Sequence, residues 1–227
     1  MPVAIPAAVP VAMPAALVPP AVPAADAVVV LVRHGETEWA LLGRHTGRTD
    51  VPLTTTGRSQ AMAIGARLVG PAAELHDRPF VLVLTSPRIR ARDTAELAGF
   101  GGVAEVDPDL VEWDYGALEG LTTSEIRLEH RDWSIWTGPW PDGESAAEVG
   151  IRVDRLLARI REAGGDVLLF SHGHLLRVLA ARWLGLEPAF GRLFGLSTAT
   201  ISILGWDREN AVVETWNEAC HLVAESH

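Results

Sequence analysis

The stretch VVVLVRHGETEW, residues 28–39, carries the first clear signal of the fold. Its first five residues are apolar and mostly β-branched, and a polar loop follows them at once. This pattern is typical of a short strand that is buried on both faces. Two later runs have the same form, VLVL at 81–84 and VLLF at 167–170. The sequence therefore predicts three buried strands.

Helical patterns separate and follow these strands. We predict helices over 57–68, 90–98, 145–163 and 174–184. Thr54 is the expected N-cap of the first helix. The strongest pattern is 145–163, where Ser145 and Glu148 form a capping box and Gly164 ends the helix.

Near the C-terminus, alternating residues at 198–204 and 211–216 predict a hairpin that turns at 207–210. Strands that alternate with helices are typical of layered α/β proteins. We therefore predict an α/β fold, a three-layer α/β/α sandwich with a mostly parallel central sheet.

The composition narrows the class of protein. Hydrophobic residues make up 48% of the chain and charged residues 21%, which is typical of a soluble globular protein. The 29 acidic residues outnumber the 19 basic ones, all arginine, so the net charge is -10. This charge disfavours nucleic acid or an anionic membrane as a partner. The single cysteine, Cys220, excludes an internal disulfide and fits a cytoplasmic location.

The first 26 residues differ from the rest of the chain. They are rich in proline and alanine and carry no charged side chain before Asp26. Proline at this density breaks helices and sheets, and it interrupts the apolar run that a signal peptide needs. We predict a disordered tail over 1–26 and one folded domain over 27–227.

Each predicted strand runs directly into a polar motif: RHGET at 33–37, TSPRIR at 85–90 and SHGH at 171–174. In open α/β sheets, ligands bind beyond the carboxyl ends of the strands. Arginine and histidine side chains, glycine and the start of a helix at 174 together suit a phosphate group. A histidine in such a site can also attack phosphorus. Metal binding is the competing use of these histidines, but the motifs hold no carboxylate cluster, so we predict no metal and no cofactor.

Six motifs in order resemble the histidine phosphatase superfamily, which includes the cofactor-dependent phosphoglycerate mutases. They are LVRHGETEW (31–39), TGRTDVPLTTTG (46–57), TSPRIRARDTAEL (85–97), LVEWDYGALEG (110–120), PDGES (141–145) and SHGHLLR (171–177). The later motifs look most like the branch with actinobacterial acid phosphatases and sedoheptulose 1,7-bisphosphatase.

The resemblance implies a role for each matching residue. His34 would be the nucleophile that becomes phosphorylated, and Glu112 the general acid and base. The other members of the phosphate pocket would be Arg33, Arg90 and His172. Residues that contact substrate would also include Thr46, Gly47, Gly173 and His174. His174 and Arg177 have an alternative, since they suit the opening of a helix equally well.

The resemblance implies a metal-independent phosphatase for small phosphomonoesters, such as sugar phosphates. The mutase alternative is disfavoured because mutases typically carry asparagine where this chain has Ala40. A non-catalytic phosphate-binding module on the same fold is the other alternative, and the intact set of motif residues argues against it. Relatives are commonly dimeric, so a homodimer is compatible with the family, although no sequence feature demands one.

Several residues have no motif to explain them. We predict surface positions for His45, His76, His130, His221 and His227, and an unreactive thiol at Cys220. The segment 113–140 contains four tryptophans and little periodicity. It suits either a surface excursion with aromatic anchors or a lid over the site.

Overall fold

The structure is a computed structural model that describes residues 27–69 and 79–222. The predicted tail over 1–26 lies outside the described residues, so its separation from a domain over 27–227 stays a prediction. His76 and His227 also lie outside them.

Within the described residues, six strands form one sheet. They are β1 (Val29–Arg33), β2 (Leu82–Thr85), β3 (Glu105–Val106), β4 (Val167–Ser171), β5 (Ile201–Asp207) and β6 (Asn210–Glu218). Their order across the sheet is β3-β2-β4-β1-β5-β6. The first four in this order pair in parallel, whereas β5 is antiparallel to both β1 and β6. This mostly parallel sheet confirms the predicted α/β class.

The same part of the chain contains six α-helices. They are α1 (Glu38–Leu41), α2 (Thr55–Val69), α3 (Ile89–Leu97), α4 (Thr123–Glu129), α5 (Ala146–Ala163) and α6 (Gly173–Trp183). Short 3-10 helices lie at Pro108–Leu110, Gly116–Leu118, Pro188–Leu193 and Cys220–Leu222. No described helix is both long and apolar enough to cross a lipid bilayer.

The predicted helices correspond to α2, α3, α5 and α6, with ends within two residues of prediction. The capping box of Ser145 and Glu148 is present, and Gly164 ends α5 in the left-handed conformation at a φ of 69°. Oγ1 of Thr54 accepts the N–H of Gly57 over 3.0 Å at the start of α2. The hairpin is tighter than predicted, because Asp207 and Asn210 pair with each other as strand residues.

The sheet buries both of its faces. Leu31 of β1 packs with Leu156 of α5 and Leu175 of α6 in one core cluster. Its neighbour Val30 points the other way and packs with Ile64 of α2 in a second cluster. Successive side chains of a strand alternate between faces, so β1 divides the core into two halves. The result is the predicted three-layer sandwich.

The tryptophan-rich segment 113–140 sends aromatic side chains into the core. Trp113, Trp133 and Trp136 are 0%, 2% and 9% exposed and lie in the same cluster as α5 and α6. The indole N–H groups of Trp113 and Trp133 donate to the carbonyls of Glu144 and Pro139 over 2.7 and 2.9 Å. The aromatic side chains are thus anchors inside the protein.

Candidate active site

The ends of β1, β2 and β4 meet at one edge of the sheet. The register places Arg33 of β1 beside Ser171 of β4, and Thr85 of β2 beside Phe170 of β4. The backbone N–H of His34 continues the ladder by donating to the carbonyl of Ser171 over 3.0 Å. The structure therefore brings the three polar motifs together, as the strand pattern predicts.

A cavity of about 280 Å³ opens at this edge. Most of the predicted site residues line it: Arg33, His34, Thr46, Glu112, Gly173 and His174. The others, Gly47, Arg90 and His172, are buried and do not line the cavity. Residues that sequence reasoning missed or left open also line it: Thr37, Arg44, His45, Tyr115, Thr123 and Arg177.

The imidazole of His34 is buried, and the backbone determines its tautomer. Nδ1 lies 2.7 Å from the carbonyl oxygen of Gly35, which can only accept, so Nδ1 carries the proton. Burial lowers the pKa of His34 well below its usual value, and the positive charges of Arg90 and Arg33 lower this pKa further. The neutral ring therefore keeps a lone pair on Nε2, as a nucleophile requires.

His172 lies close to His34, with ring centres 5.2 Å apart. Nδ1 of His172 accepts from Nε of Arg90 over 3.1 Å. Because burial lowers the pKa of His172, the neutral ring carries its proton on Nε2 and donates it to Oγ of Ser86 over 2.7 Å. The Nη atoms of Arg90 donate to three carbonyls in the loop 46–49. Arg90 thus joins His172 to that loop.

Arg33 places a positive charge on the cavity wall. Its Nη1 donates to the carbonyl of Leu196 over 2.5 Å, whereas its buried Nε has no partner among the described residues. Buried donors are rarely left unpaired in folded proteins, and a phosphate oxygen is an acceptor that matches this one. Gly173 leaves room for the guanidinium, because an added Cβ would lie 3.2 Å from Cζ of Arg33.

The start of α6 donates hydrogen bonds to a side chain of the protein itself, the carboxyl group of Glu112. The N–H groups of His174 and Leu175 donate to the carboxylate of Glu112 over 3.0 and 2.9 Å, and the N–H of Trp113 donates to it over 2.9 Å. The expectation that these helix N–H groups face the ligand is wrong, because a carboxylate from a neighbouring loop already accepts from them. This contact holds Glu112 at the cavity.

Tyr115, His174 and His45 form a neutral cluster of neighbouring rings on the cavity wall. Oη of Tyr115 lies 2.7 Å from Nδ1 of His174, and the ring of His45 lies 4.7 Å from that of Tyr115. Burial raises the pKa of Tyr115, lowers that of His174, and lowers the pKa of His45 to about 4. The surface position predicted for His45 is wrong, because backbone hydrogen bonds to Gly120 and Leu121 hold it inside.

Two motif glycines shape the backbone around the site. An added Cβ on Gly35 would lie 2.4 Å from the carbonyl oxygen of Gly57, so the close packing at Gly35 is against α2. Gly47 donates its N–H to the carboxylate of Glu119, and its carbonyl accepts from Arg90 over 3.2 Å. Both glycines therefore support the walls of the site.

The remaining sequence predictions divide. Arg177 lines the cavity, with its guanidinium 4.6 Å over the ring of Trp136. His130 is exposed, as predicted. Cys220 is also exposed, and its low reactivity stays a prediction. His221 is the exception, because its side chain is 4% exposed and its Nε2 donates to a backbone carbonyl. Over the described ranges, no three His, Cys, Asp or Glu side chains are grouped so as to hold a metal ion.

Comparison with known families decides the family of this chain. The family model described as the histidine phosphatase superfamily (branch 1) matches residues 29–219. The chain belongs to the histidine phosphatase superfamily. In this histidine phosphatase, the matched region includes every residue of the candidate active site and all six strands described above.

Individual relatives support the same placement. An acid phosphatase from Mycobacterium tuberculosis is 49% identical over 181 residues, which are 79% of this chain and 86% of that protein. The sedoheptulose 1,7-bisphosphatase of Saccharomyces cerevisiae is 36% identical over 182 residues, 69% of this chain and 67% of that one. A probable phosphoglycerate mutase from Citrobacter koseri is 34% identical over 213 residues, covering 86% of this chain and 95% of that protein.

Solved structures share the fold of this histidine phosphatase. The structure of an open reading frame from Mycobacterium tuberculosis superposes with a TM-score of 0.79 at 45% identity, over 84% of this chain and 97% of that one. Together with the family match, these relatives confirm the predicted superfamily, its branch with acid phosphatases and sedoheptulose 1,7-bisphosphatase, and the phosphoglycerate mutase-like fold.

Proposed function

We propose that this protein is a metal-independent phosphatase that hydrolyses small phosphomonoesters through a phosphohistidine on His34. One observation carries the proposal: His34 presents a neutral ring with a free Nε2 lone pair in a cavity that Glu112 and Arg33 also line. A nucleophile, a proton donor and a cation for the phosphoryl oxygens are the groups that this reaction needs.

The first step transfers the phosphoryl group to the protein. The Nε2 lone pair of His34 attacks phosphorus, and the bond from phosphorus to the ester oxygen breaks. Glu112, in its protonated form, gives its proton to the departing oxygen, so that an alcohol leaves. Nδ1 of His34 keeps its proton throughout, because the carbonyl of Gly35 holds it.

The second step releases phosphate. The carboxylate of Glu112 accepts a proton from water, the water oxygen attacks phosphorus, and the bond from phosphorus to Nε2 breaks. Inorganic phosphate leaves and both residues return to their starting forms. In each step the positive charges of Arg33, on the cavity wall, and of Arg90, near His34, stabilise the phosphoryl oxygens.

The predicted substrate-binding residues divide into two groups. Thr46 and His174 line the cavity, and we propose that they contact the leaving group. Gly47 and His172 act indirectly, because both are bonded to Arg90. Gly173 acts by leaving space for Arg33.

We propose a small phosphorylated metabolite, such as a sugar phosphate, as the substrate. The cavity of about 280 Å³ is slightly smaller than the roughly 300–1,000 Å³ of typical small-molecule sites, which suits a small substrate. Neutral side chains on its wall, including Tyr115, His174 and His45, suit the hydroxyl groups of a polyol. We further propose a cytoplasmic enzyme with neither nucleic acid nor membrane as a partner.

Purified protein tests this function. We expect phosphate release from p-nitrophenyl phosphate with no added metal and in the presence of EDTA. We expect His34→Ala to abolish both turnover and acid-labile phosphate labelling, while His130→Ala, at an exposed histidine, keeps both. A requirement for a divalent ion contradicts the mechanism, and labelling of His34→Ala contradicts the choice of nucleophile.

Mutase activity is the second candidate, because a similar protein is a probable phosphoglycerate mutase. Both activities share the phosphohistidine, so the acceptor of the phosphoryl group distinguishes them. Conversion of 3-phosphoglycerate to 2-phosphoglycerate that outpaces hydrolysis and responds to 2,3-bisphosphoglycerate identifies a mutase. We expect hydrolysis to dominate.

A further inference from the structure

Glu112 lies in a segment with no regular secondary structure of its own. Residues 112–115 lie between two short 3-10 helices, Pro108–Leu110 and Gly116–Leu118. Catalysis by a general acid requires that its carboxyl group stay within hydrogen-bond reach of the leaving oxygen. The position of Glu112 therefore depends on two things: the contacts of its carboxyl group with the start of α6, and the contacts that hold the backbone of this segment.

Arg152 of α5 is the side chain that holds it. Arg152 is 6% exposed, and its guanidinium bonds to successive parts of the segment. Nη1 donates to the carbonyls of Asp109 and Val111, each over 2.9 Å, and Nη2 donates to the carbonyl of Glu112 over 3.2 Å. The planar guanidinium of Arg152 thus fixes the backbone from Asp109 to Glu112.

Glu144 binds the residues of the segment that follow Glu112. Its two carboxylate oxygens accept from Nε and Nη2 of Arg152 over 2.8 and 2.9 Å. Oε2 also accepts the backbone N–H of Asp114 over 2.9 Å, and the carbonyl of Glu144 accepts from the indole of Trp113 over 2.7 Å. The Arg152–Glu144 ion pair therefore contacts the segment on both sides of Glu112.

We propose that Arg152 and Glu144 are positioning residues for Glu112. Neither Arg152 nor Glu144 lines the cavity, so neither is expected to contact the substrate. Their role is to keep the carboxyl group where it meets the leaving oxygen, and the inference rests on the proposed role of Glu112 as general acid.

The chemistry of the leaving group separates positioning from general stability. An alkoxide leaves poorly unless it is protonated as the bond breaks, whereas p-nitrophenolate leaves without a proton. A displaced Glu112 therefore slows the first step for alkyl phosphates and has little effect on it for p-nitrophenyl phosphate. A loss of folded protein lowers both rates equally.

The experiment compares kcat/KM for glycerol 2-phosphate and p-nitrophenyl phosphate in the full chain. For Arg152→Met we expect the value for glycerol 2-phosphate to fall about 10- to 100-fold more than that for p-nitrophenyl phosphate. Glu144→Gln keeps the shape of the side chain and is the milder test, with an expected difference of about 3- to 10-fold. If Arg152→Met does not fold, Glu144→Gln alone tests the positioning role.

Arg155→Met is the matched control. Arg155 lies one turn further along α5 and forms a bidentate pair with Asp109, at 3.0 and 2.6 Å, but bonds to nothing between Val111 and Asp114. We expect equal, small effects on both substrates. Equal losses for the two substrates in folded Arg152→Met and Glu144→Gln overturn the inference.

Glu112→Gln distinguishes failure of the inference from failure of the proposed function. If Glu112→Gln discriminates between the substrates and the Arg152 and Glu144 variants do not, Glu112 is the acid and the positioning role is wrong. If Glu112→Gln treats both substrates alike, the assignment of the acid itself is wrong.

Discussion

Nδ1 of His34 donates its proton to the carbonyl oxygen of Gly35 over 2.7 Å. This bond directs the remaining lone pair, on Nε2, away from the backbone. It connects the nucleophile to the backbone of its own motif, and Gly35 in turn packs against Gly57 at the start of α2. The reactivity of His34 therefore depends on the fold around it.

The first prediction concerns pH. The pKa of His34 is lowered by burial and by the charges of Arg90 and Arg33, so the ring stays neutral and nucleophilic at mildly acidic pH. Removal of the charge in Arg90→Met raises this pKa, so activity is lost at a higher pH as the solution is acidified. We expect the acidic limb of kcat/KM to move up by about one pH unit.

Arg90→Lys is the control for this shift. It loses the same guanidinium hydrogen bonds as Arg90→Met but keeps a positive charge. Both variants lose activity, and only Arg90→Met is expected to shift the acidic limb. The same profile in both variants contradicts an electrostatic effect of Arg90 on His34.

The second prediction concerns the two roles of Glu112. In Glu112→Gln, the first step with p-nitrophenyl phosphate needs no proton, but water in the second step loses its base. We expect a rapid burst of p-nitrophenol, close to one per active site, followed by turnover about 100-fold slower than in the original protein. Stopped-flow absorbance measures the burst, and slow turnover with no burst contradicts the proposed order of steps.

The third prediction concerns the space beside Arg33. In Gly173→Ala, the added Cβ lies 3.2 Å from Cζ of Arg33, so the guanidinium must shift by a few tenths of an ångström. We expect kcat/KM to fall about 10-fold or more, because a cation near the phosphoryl group moves. Gly102→Ala is the control, since its Cβ meets no atom within 4 Å. Steady-state kinetics measure kcat/KM of the two variants. Equal values contradict the prediction that Gly173 leaves space that the guanidinium of Arg33 needs.

The fourth prediction concerns stability. Burial lowers the pKa values of His34, His172 and His174, and that of His45 to about 4. The unfolded chain therefore binds protons that the folded chain does not as pH falls below about 6.5. As the pH falls below about 6.5, each such histidine lowers the free energy of unfolding by up to about 1.4 kcal/mol per pH unit. Above about pH 6.5 the histidine is neutral in both states, and the effect disappears.

Urea unfolding at a series of pH values measures this effect. We expect His45→Gln to reduce the slope of unfolding free energy against pH by about 1.4 kcal/mol per unit between about pH 5 and pH 6. His130→Gln, at an exposed histidine, serves as the control and should keep the original slope. An unchanged slope in His45→Gln means that His45 titrates normally in the folded protein.

The layered fold was predictable because its signals are local. Apolar β-branched runs mark the buried strands, and caps such as Ser145 with Glu148 mark a helix boundary directly. Strand β3, with two residues, and α1, with four, are too short to show any periodicity. The turn of the C-terminal hairpin is shorter than the predicted 207–210, because strand pairing extends to Asp207 and Asn210.

The sequence by itself determined the chemical groups of the site. Arg33 and His34 stand in a motif at a strand end that had to meet two others, and the family resemblance identified Glu112. Only the tertiary structure decided what each group bonds to. In the tertiary structure His45 is buried, the N-terminus of α6 donates to the carboxyl group of Glu112, and Arg152 donates to the backbone of Glu112. These are contacts between residues far apart in the chain, and they follow from packing of whole elements, which no local pattern records.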